Sequence, residues 1–438
     1  MTKIAVIGAG GYEFPLRLMN DFLSFPSLRD ATYALMDVDP IALKRADRLA
    51  RRLVDSRGFP AVVEPTTDRR KALSDADFVV TCFQVGGREA YAYDVEIPRR
   101  YGIDQTVGDT LGPGGVFRGL RSMRALDDIV GDMAALCPDA LLLNYANPMS
   151  INCWFAAGAG ARTVGLCHSV QHTADELAAI AGYQDWSFRA AGINHQAWML
   201  EFRNRGLDVR AELAAAVEAY QRGEREPAEP IDEWYAGGRE GVRTEILRLT
   251  GYFQTESSHH ASEYYPHFRR TPADVERFLP QRWDYLELTK ATTDADQENL
   301  ADELAAGELE VSEEYAARIV DSVVTNTPRT VYGNVPNTGL ITNLPDGCCV
   351  EVPCLVDASG VQPTQVGALP AACAGLNLAS VGFQGCVVEA YRQRSRDVVY
   401  AAVSMDRLTS SLLSLDQIRA MTDDLIEAQR QWLPELTR

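Results

Sequence analysis

Cys167 and His195 stand 28 positions apart. As thiolate and imidazole they could hold a divalent cation and leave its remaining positions open to a substrate. An inert buried thiol and a hydrogen-bonded core histidine also account for the pair. Other reactive side chains cluster near them in the chain. Gly165-Leu166-Cys167-His168 ends one strand pattern and Asn147-Pro148 ends another, at the carboxyl ends where doubly wound sheets bind ligands. Gly192-Ile193-Asn194-His195 follows. Thr255-Glu256-Ser257-Ser258-His259-His260-Ala261-Ser262-Glu263-Tyr264 packs acids, hydroxyls and imidazoles together, and Gly108-Asp109-Thr110-Leu111-Gly112-Pro113-Gly114-Gly115 places one acid in a run expected to be neither helix nor strand. Asp109 could also cap that turn, Asn147 could satisfy loop backbone, and His259-His260 could be a solvated pair. All six histidines (168, 172, 195, 259, 260 and 267) fall within one stretch of 100 residues.

A second chemistry is written at the other end of the chain. The apolar run Lys3-Ile4-Ala5-Val6-Ile7 ends in Gly8-Ala9-Gly10-Gly11, and a helix pattern follows. Glycine lets such a turn tighten and bring backbone N–H groups to a pyrophosphate at a helix N-terminus. Asp37 closes the second strand, where an acid holds a ribose hydroxyl and disfavours the 2′-phosphate of NADP. Gly8, Gly10, Gly11 and Asp37 therefore predict NAD binding, with Glu13 standing where the fingerprint's third glycine is expected.

These residues need a scaffold. Strands expected at 3–7, 32–37, 77–83, 140–145 and 162–167 alternate with helices at 41–56 and 119–136, the pattern of a parallel sheet covered on both faces. Leu141-Leu142-Leu143 is continuously apolar, as burial on both sides requires. Past residue 168 the pattern changes. Thr173-Ala174-Asp175-Glu176 reads as a capping box opening a helix to 181, and 187–194 with 198–203 as a strand pair around His195. Residues 221–230 read as an exposed loop, with helices at 238–249, 282–306, 312–324 and from 370 onward, and strands at 330–337 and 349–356. The predicted architecture is α/β: a Rossmann-type doubly wound parallel sheet over 1–168, then a mixed α+β domain over 169–438.

Composition narrows the partners. The 438 residues carry 61 acids against 42 Lys and Arg, a net charge of −19. That balance argues against nucleic acid and anionic lipid, which both recruit basic patches. No apolar run of about 18 residues is evident, so no membrane span is expected. The start, MTKIAVIGAG, enters a strand pattern without the features of a signal peptide. The nine cysteines are expected as reduced thiols in a cytoplasm.

Taken together, the glycine turn, Gly86-Gly87, the 108–115 run, Asn147-Pro148, Cys167-His168, Asn194-His195, Asn334-Val335-Pro336-Asn337-Thr338-Gly339 and Glu351-Val352-Pro353 resemble glycoside hydrolase family 4 over nearly the whole chain. These are the NAD- and divalent-metal-dependent glycosidases. The resemblance implies a second domain like the C-terminal domain of lactate/malate dehydrogenases. It also implies oxidation of the sugar at C3 by NAD⁺, loss of the C2 proton to a base, elimination of the aglycone, addition of water and re-reduction. On this resemblance Cys167 and His195 hold Mn²⁺ or another divalent ion, and Asn147 bridges cofactor and sugar. Tyr264 is the first choice of base with Glu256 and His260 behind it, His168 is the acid for the leaving group, and Asp109 is a further catalytic candidate. Asn147, Asn194, Arg88 and Arg269 are expected to face the sugar.

Cys167-His168-Ser169-Val170 and the 255–264 run are similar to the α-galactosidase subgroup, which takes unphosphorylated sugars. Within the family the alternatives are an α-galacturonidase, with Arg88, Arg118, Arg269 and Arg270 available to a uronate, and an α-glucosidase. Outside it, the alternative is an NAD-dependent hydroxy-acid or polyol dehydrogenase. The family also implies a homodimer or homotetramer acting on a small carbohydrate.

Overall fold

Short apolar runs make the strands of the N-terminal half: β1 (Lys3–Ile7), β2 (Thr32–Met36), β3 (Val62–Thr66), β4 (Phe78–Thr81), β5 (Leu141–Asn144) and β6 (Thr163–Gly165). They pair in parallel in the order β3-β2-β1-β4-β5-β6, which leaves the switch point of a Rossmann sheet between β1 and β4. Alternate residues of one strand enter opposite cores. Ile4, Val6, Val80 and Leu143 pack on one face of the sheet, and Ala5, Ile7, Val79 and Leu142 on the other. The structure, a computed structural model, describes residues 1–12, 14–231 and 238–437. Glu13 lies outside the described residues.

Helix α1 (Pro15–Ser24) follows the glycine turn, and α2 (Pro40–Arg57) follows β2. Helix α2 starts where Asp39 accepts hydrogen bonds from the Ile41 and Ala42 N–H groups, with Pro40 in the first turn, and stops at Gly58. Next come α3 (Arg69–Leu73), α4 (Gly87–Arg100), α5 (Gly112–Leu136), α6 (Met149–Gly158) and α7 (Ser169–Ala181). Two local expectations are corrected. The 108–115 run is not all loop: Gly112-Pro113-Gly114-Gly115 forms the first turn of α5. Proline suits a helix's first turn, and a Cβ at Gly114 would sit 2.2 Å from the Gly108 carbonyl oxygen, so only glycine lets the chain double back. Thr173 and Glu176 do not cap a helix, because α7 begins at Ser169 and both side chains turn inward to the buried Arg243.

The second half extends the same sheet. β10 (Arg329–Pro336) joins β6 with Asn334 opposite Gly165 and pairs along its length with β11 (Cys349–Asp357). Glu351 of β11 lies opposite Gly192 of β7 (Trp186–Ile193), which forms a hairpin with β8 (Gln196–Asn204). β9 (Leu207–Asp208) and β12 (Gly360–Pro363) complete a sheet of twelve strands among the described residues. The expected strand pair around His195 is therefore present. The helix expected from 370 onward is present, but the expectation of no apolar run of about 18 residues is corrected by its first part. Ala371–Gln393 is long and apolar enough by composition to cross a membrane, with a mean hydropathy of 1.5. Gly, Ser, Asn and Gln interrupt its apolar run, and Cys373, Asn377, Val381, Val387 and Tyr391 are buried in the protein.

Candidate active site and metal centre

The nucleotide turn is built by close contacts. Gly8 and Ala9 donate to the Met36 carbonyl, and the Gly10 N–H donates to Asp37 Oδ2 at 2.8 Å. Gly8 has φ +95, and a Cβ there would lie 2.8 Å from the Phe83 backbone. This turn opens toward the N-terminal end of α1, with Asp37 across it, so Gly8, Gly10, Gly11 and Asp37 together fit a dinucleotide.

At the carboxyl end of β5 the Asn147 amide donates to Asp109 Oδ2 at 3.0 Å, while Arg118 and Ser122 donate to the Asn147 carbonyl. Burial works to raise the Asp109 carboxyl, but the Arg118 guanidinium, His260 while its ring carries charge, and the Thr110 and Asn147 hydrogen bonds outweigh it and hold it below the usual range. Asp109 is thus an ionised acceptor buried beside Asn147.

The metal-type residues come from three places. Cys167 follows β6, His195 is the second residue of the two-residue turn between β7 and β8, and Glu256 lies in the segment after the helix Gly241–Thr250. His195 and Glu256 both take left-handed backbone, with φ 62 and 80. Non-glycine residues are rarely held so, and such positions cluster at functional sites. Cys167 Sγ and Glu256 Oε2 each lie 3.4 Å from His195 Nε2, and the three ligand atoms are all within 4.8 Å of one another. Sulfur, nitrogen and oxygen converging from three segments fit a divalent cation that keeps positions free for a substrate.

Burial pushes the Cys167 thiol up to about 12, so it keeps its proton until a cation displaces it. Glu256 behaves oppositely. Burial would raise it, but the imidazoles of His195 and His260 and the Ser257 N–H pull it down to about 2. The imidazole share of that pull exists only while the rings carry charge.

Several expected site residues are placed differently. His260 is no free base: it is buried, with Nδ1 on Glu263 and Nε2 on His195. His259 is not solvated either, being buried against Gln281 and Trp283 and pushed down to about 4, chiefly by burial. Arg269 does not face a sugar. Its buried guanidinium is spent on Ser262, the Asp104 and His259 carbonyls and Thr106. Arg88 sits over the Tyr12 ring and donates to the Thr292 carbonyl, beside the nucleotide turn. Tyr264 is buried, its hydroxyl donates to the Asn194 carbonyl at 3.4 Å, and burial holds it well above its ordinary value. His168, half-buried next to Cys167, is raised to about 10 against the cost of burial by its hydrogen bond to Glu314, 2.9 Å away.

The site also contains Glu351, to which the sequence assigned no role. Glu351 is fully buried, accepts from Asn334 at 3.1 Å and is pushed up to about 7 by burial. The Asn194 amide is buried beside it and helps to hold the Glu351 carboxyl down against burial. An acid in the midst of the apolar residues of the strand Cys349–Asp357, whose other acid stands at its end, was the available signal for Glu351.

A Rossmann-ordered sheet with a nucleotide turn and a thiol–imidazole–carboxylate pocket along its carboxyl edge defines a dinucleotide- and metal-dependent enzyme. Comparison with known proteins identifies which. Residues 3–183 match the Family 4 glycosyl hydrolase description and residues 190–409 the Family 4 glycosyl hydrolase C-terminal domain. The chain belongs to the family 4 glycosyl hydrolases. It is 37% identical to an alpha-galactosidase of Rhizobium meliloti, covering 99% of this chain and 89% of that protein, and 36% identical to an alpha-galactosidase of Bacillus subtilis, covering 99% and 100%. The solved 6-phospho-alpha-glucosidase from gut microorganisms, in complex with NAD and glucose-6-phosphate, shares the fold with a TM-score of 0.83 at 23% identity, covering 100% of both chains.

Proposed function

We propose that this chain hydrolyses an unphosphorylated α-galactoside with NAD⁺ and a divalent cation such as Mn²⁺. The observation that carries the reading is the Cys167–His195–Glu256 pocket, set in the same row of strand ends as the Gly8–Gly10–Asp37 nucleotide turn. End-to-end similarity to alpha-galactosidases supports the sugar. When bound, the dinucleotide would accept and return electrons at sugar C3 while the cation polarises the adjacent oxygens.

The chain's own groups divide the remaining work. Asp109, ionised and fixed by Asn147 and Arg118, accepts a hydrogen bond from a sugar hydroxyl and sets the ring against the nucleotide turn. The Asn194 amide, beside Glu351, orients a second hydroxyl. Of the candidate bases, the Tyr264 hydroxyl is buried and donates to the Asn194 carbonyl, while the Glu256 carboxylate reaches the pocket as one of the groups that would hold the cation. His168, protonated against Glu314, gives a proton to the leaving aglycone.

A homo-oligomer accords with the apolar outer side of Ala371–Gln393, where Leu378 is 43% exposed, and a cytoplasmic setting accords with nine unpaired cysteines. Light scattering tests the first. Nitrophenyl glycosides assayed with NAD⁺, Mn²⁺ and reductant test the activity. The α-galactoside is cleaved without net NADH, whereas NADH accumulating with a hydroxy acid or polyol would replace the glycosidase reading by a dehydrogenase.

A further inference from the structure

We propose that Glu263, acting through His260, is a positioning residue: it fixes the tautomer in which His195 offers Nε2 to the metal, and it ties that ligand to the loop carrying Asp109. The inference rests on Cys167 and His195 being the metal ligands.

The argument is one of donors and acceptors. Glu263 is fully buried. Its Oε1 accepts from the N–H groups of Thr106 at 2.7 Å and Val107 at 2.6 Å, and its Oε2 accepts from the Gly108 N–H and the Gln105 amide, each at 3.2 Å. Every one of these neighbours can only donate in that position, so Glu263 is an acceptor-only carboxylate. The remaining contact is His260 Nδ1, 3.2 Å from Oε2, and it must carry its hydrogen there. A neutral imidazole protonated at Nδ1 is an acceptor at Nε2. His260 Nε2 lies 3.0 Å from His195 Nδ1, so His195 donates from Nδ1 and its Nε2 is left with a bare lone pair. That atom is the one 3.4 Å from both Cys167 Sγ and Glu256 Oε2. Reversing any link would aim an N–H into the pocket.

The local fold makes the chain of bonds possible. His260 and Glu263 are three residues apart on one turn, so both side chains share a face. Ser257 caps that turn by accepting from the His260 N–H. The three successive N–H groups of Thr106, Val107 and Gly108 form a small anion cradle that the chain fills with its own carboxylate. Asp109 is the next residue. The same carboxylate therefore fixes a metal ligand at one end and the approach of Asp109 at the other. Carboxylate partners of ligating imidazoles commonly change metal affinity about 10- to 100-fold. Here a second histidine is interposed between the two.

The test uses the full-length protein. In metal-free wild type, ¹H–¹⁵N spectra of the imidazoles are expected to show His195 and His260 each protonated at Nδ1 alone. Mn²⁺ affinity, from the electron paramagnetic resonance signal of free Mn²⁺, is expected to fall about 10- to 100-fold in Glu263→Gln and His260→Leu. His260→Gln, whose amide oxygen can accept from His195 Nδ1, restores it to within about threefold of wild type, which a merely structural role would not predict. Retained NAD⁺ binding shows that each variant is folded. A hydrogen on His195 Nε2 in the metal-free wild type, or wild-type Mn²⁺ affinity in both Glu263→Gln and His260→Leu, would overturn the proposal. If folded wild type with the expected tautomers binds no Mn²⁺, the metal assignment itself fails. Should the variants not fold, the wild-type spectrum alone still decides the tautomer.

Discussion

Gly10→Ala is a sharp perturbation of the nucleotide turn because its cost can be worked from contacts. A Cβ at Gly10 would lie 2.5 Å from the Ala42 Cβ and 2.8 Å from Asp37 Oδ2. Non-bonded carbons rest at about 3.5–4.0 Å, so the start of α2 must retreat by about 1 Å or more. Asp37 must retreat with it. The bond from the Gly10 N–H to Asp37, 2.8 Å long, is the one that stretches, and a hydrogen bond to a charged group contributes about 1.5–3 kcal/mol. Displacing Asp37 also removes the hydrogen bond of the same charged kind that it would make to the ribose hydroxyl, which is about a 10- to 150-fold weaker NAD⁺ affinity. Gly58→Ala is the control. Gly58 has φ 62 with nothing within 4 Å of its would-be Cβ, so it pays backbone strain of about 1 kcal/mol and leaves NAD⁺ affinity alone. Isothermal calorimetry with NAD⁺ reads the first effect and thermal denaturation the second. A Gly10→Ala protein that binds NAD⁺ within about threefold of wild type would refute the role given to this turn.

Other outcomes follow from the same geometry. Chelation is expected to abolish hydrolysis and Mn²⁺ to restore it, except in Cys167→Ser; calorimetry in buffers of different ionisation enthalpy should count about one proton released per Mn²⁺ near neutral pH, and none would contradict thiolate ligation. Arg269→Ala is expected to lose about 2–4 kcal/mol in urea denaturation by stranding buried acceptors, and a near-neutral result would return Arg269 to the list of sugar ligands. Arg88→Ala should leave KM for the sugar within about twofold, because Arg88 lies over Tyr12 rather than in the pocket. Burial raises Glu351 from 4.5 to about 7, so folded metal-free protein holds a proton there that the unfolded chain gives up. Its stabilising share is full below about 4.5 and fades as pH rises through 7. Glu351→Gln should flatten the fall in Tm across that window, and an unchanged slope would place the titration elsewhere.

The sequence alone determined what is local. A glycine turn after an apolar strand, an acid at the end of the next strand, Asn147 after β5 and Cys167 after β6 state their chemistry through backbone freedom and position along one strand, which the chain carries within a few residues. The hairpin around His195 was legible for the same reason. Tertiary structure decided which polar groups are left with spare bonding capacity. Arg269 and His260 look reactive in the chain, yet burial obliges each to spend its donors and acceptors on neighbours, and His259 is enclosed against Gln281 and Trp283. Glu263 looks like one more acid in a polar run, yet it meets N–H groups more than 150 positions away and so decides which nitrogen of His195 is bare. The physical reason is that a side chain's type fixes what it can bond, while desolvation and its nearest partners, set only when distant segments pack, fix what it has left to offer.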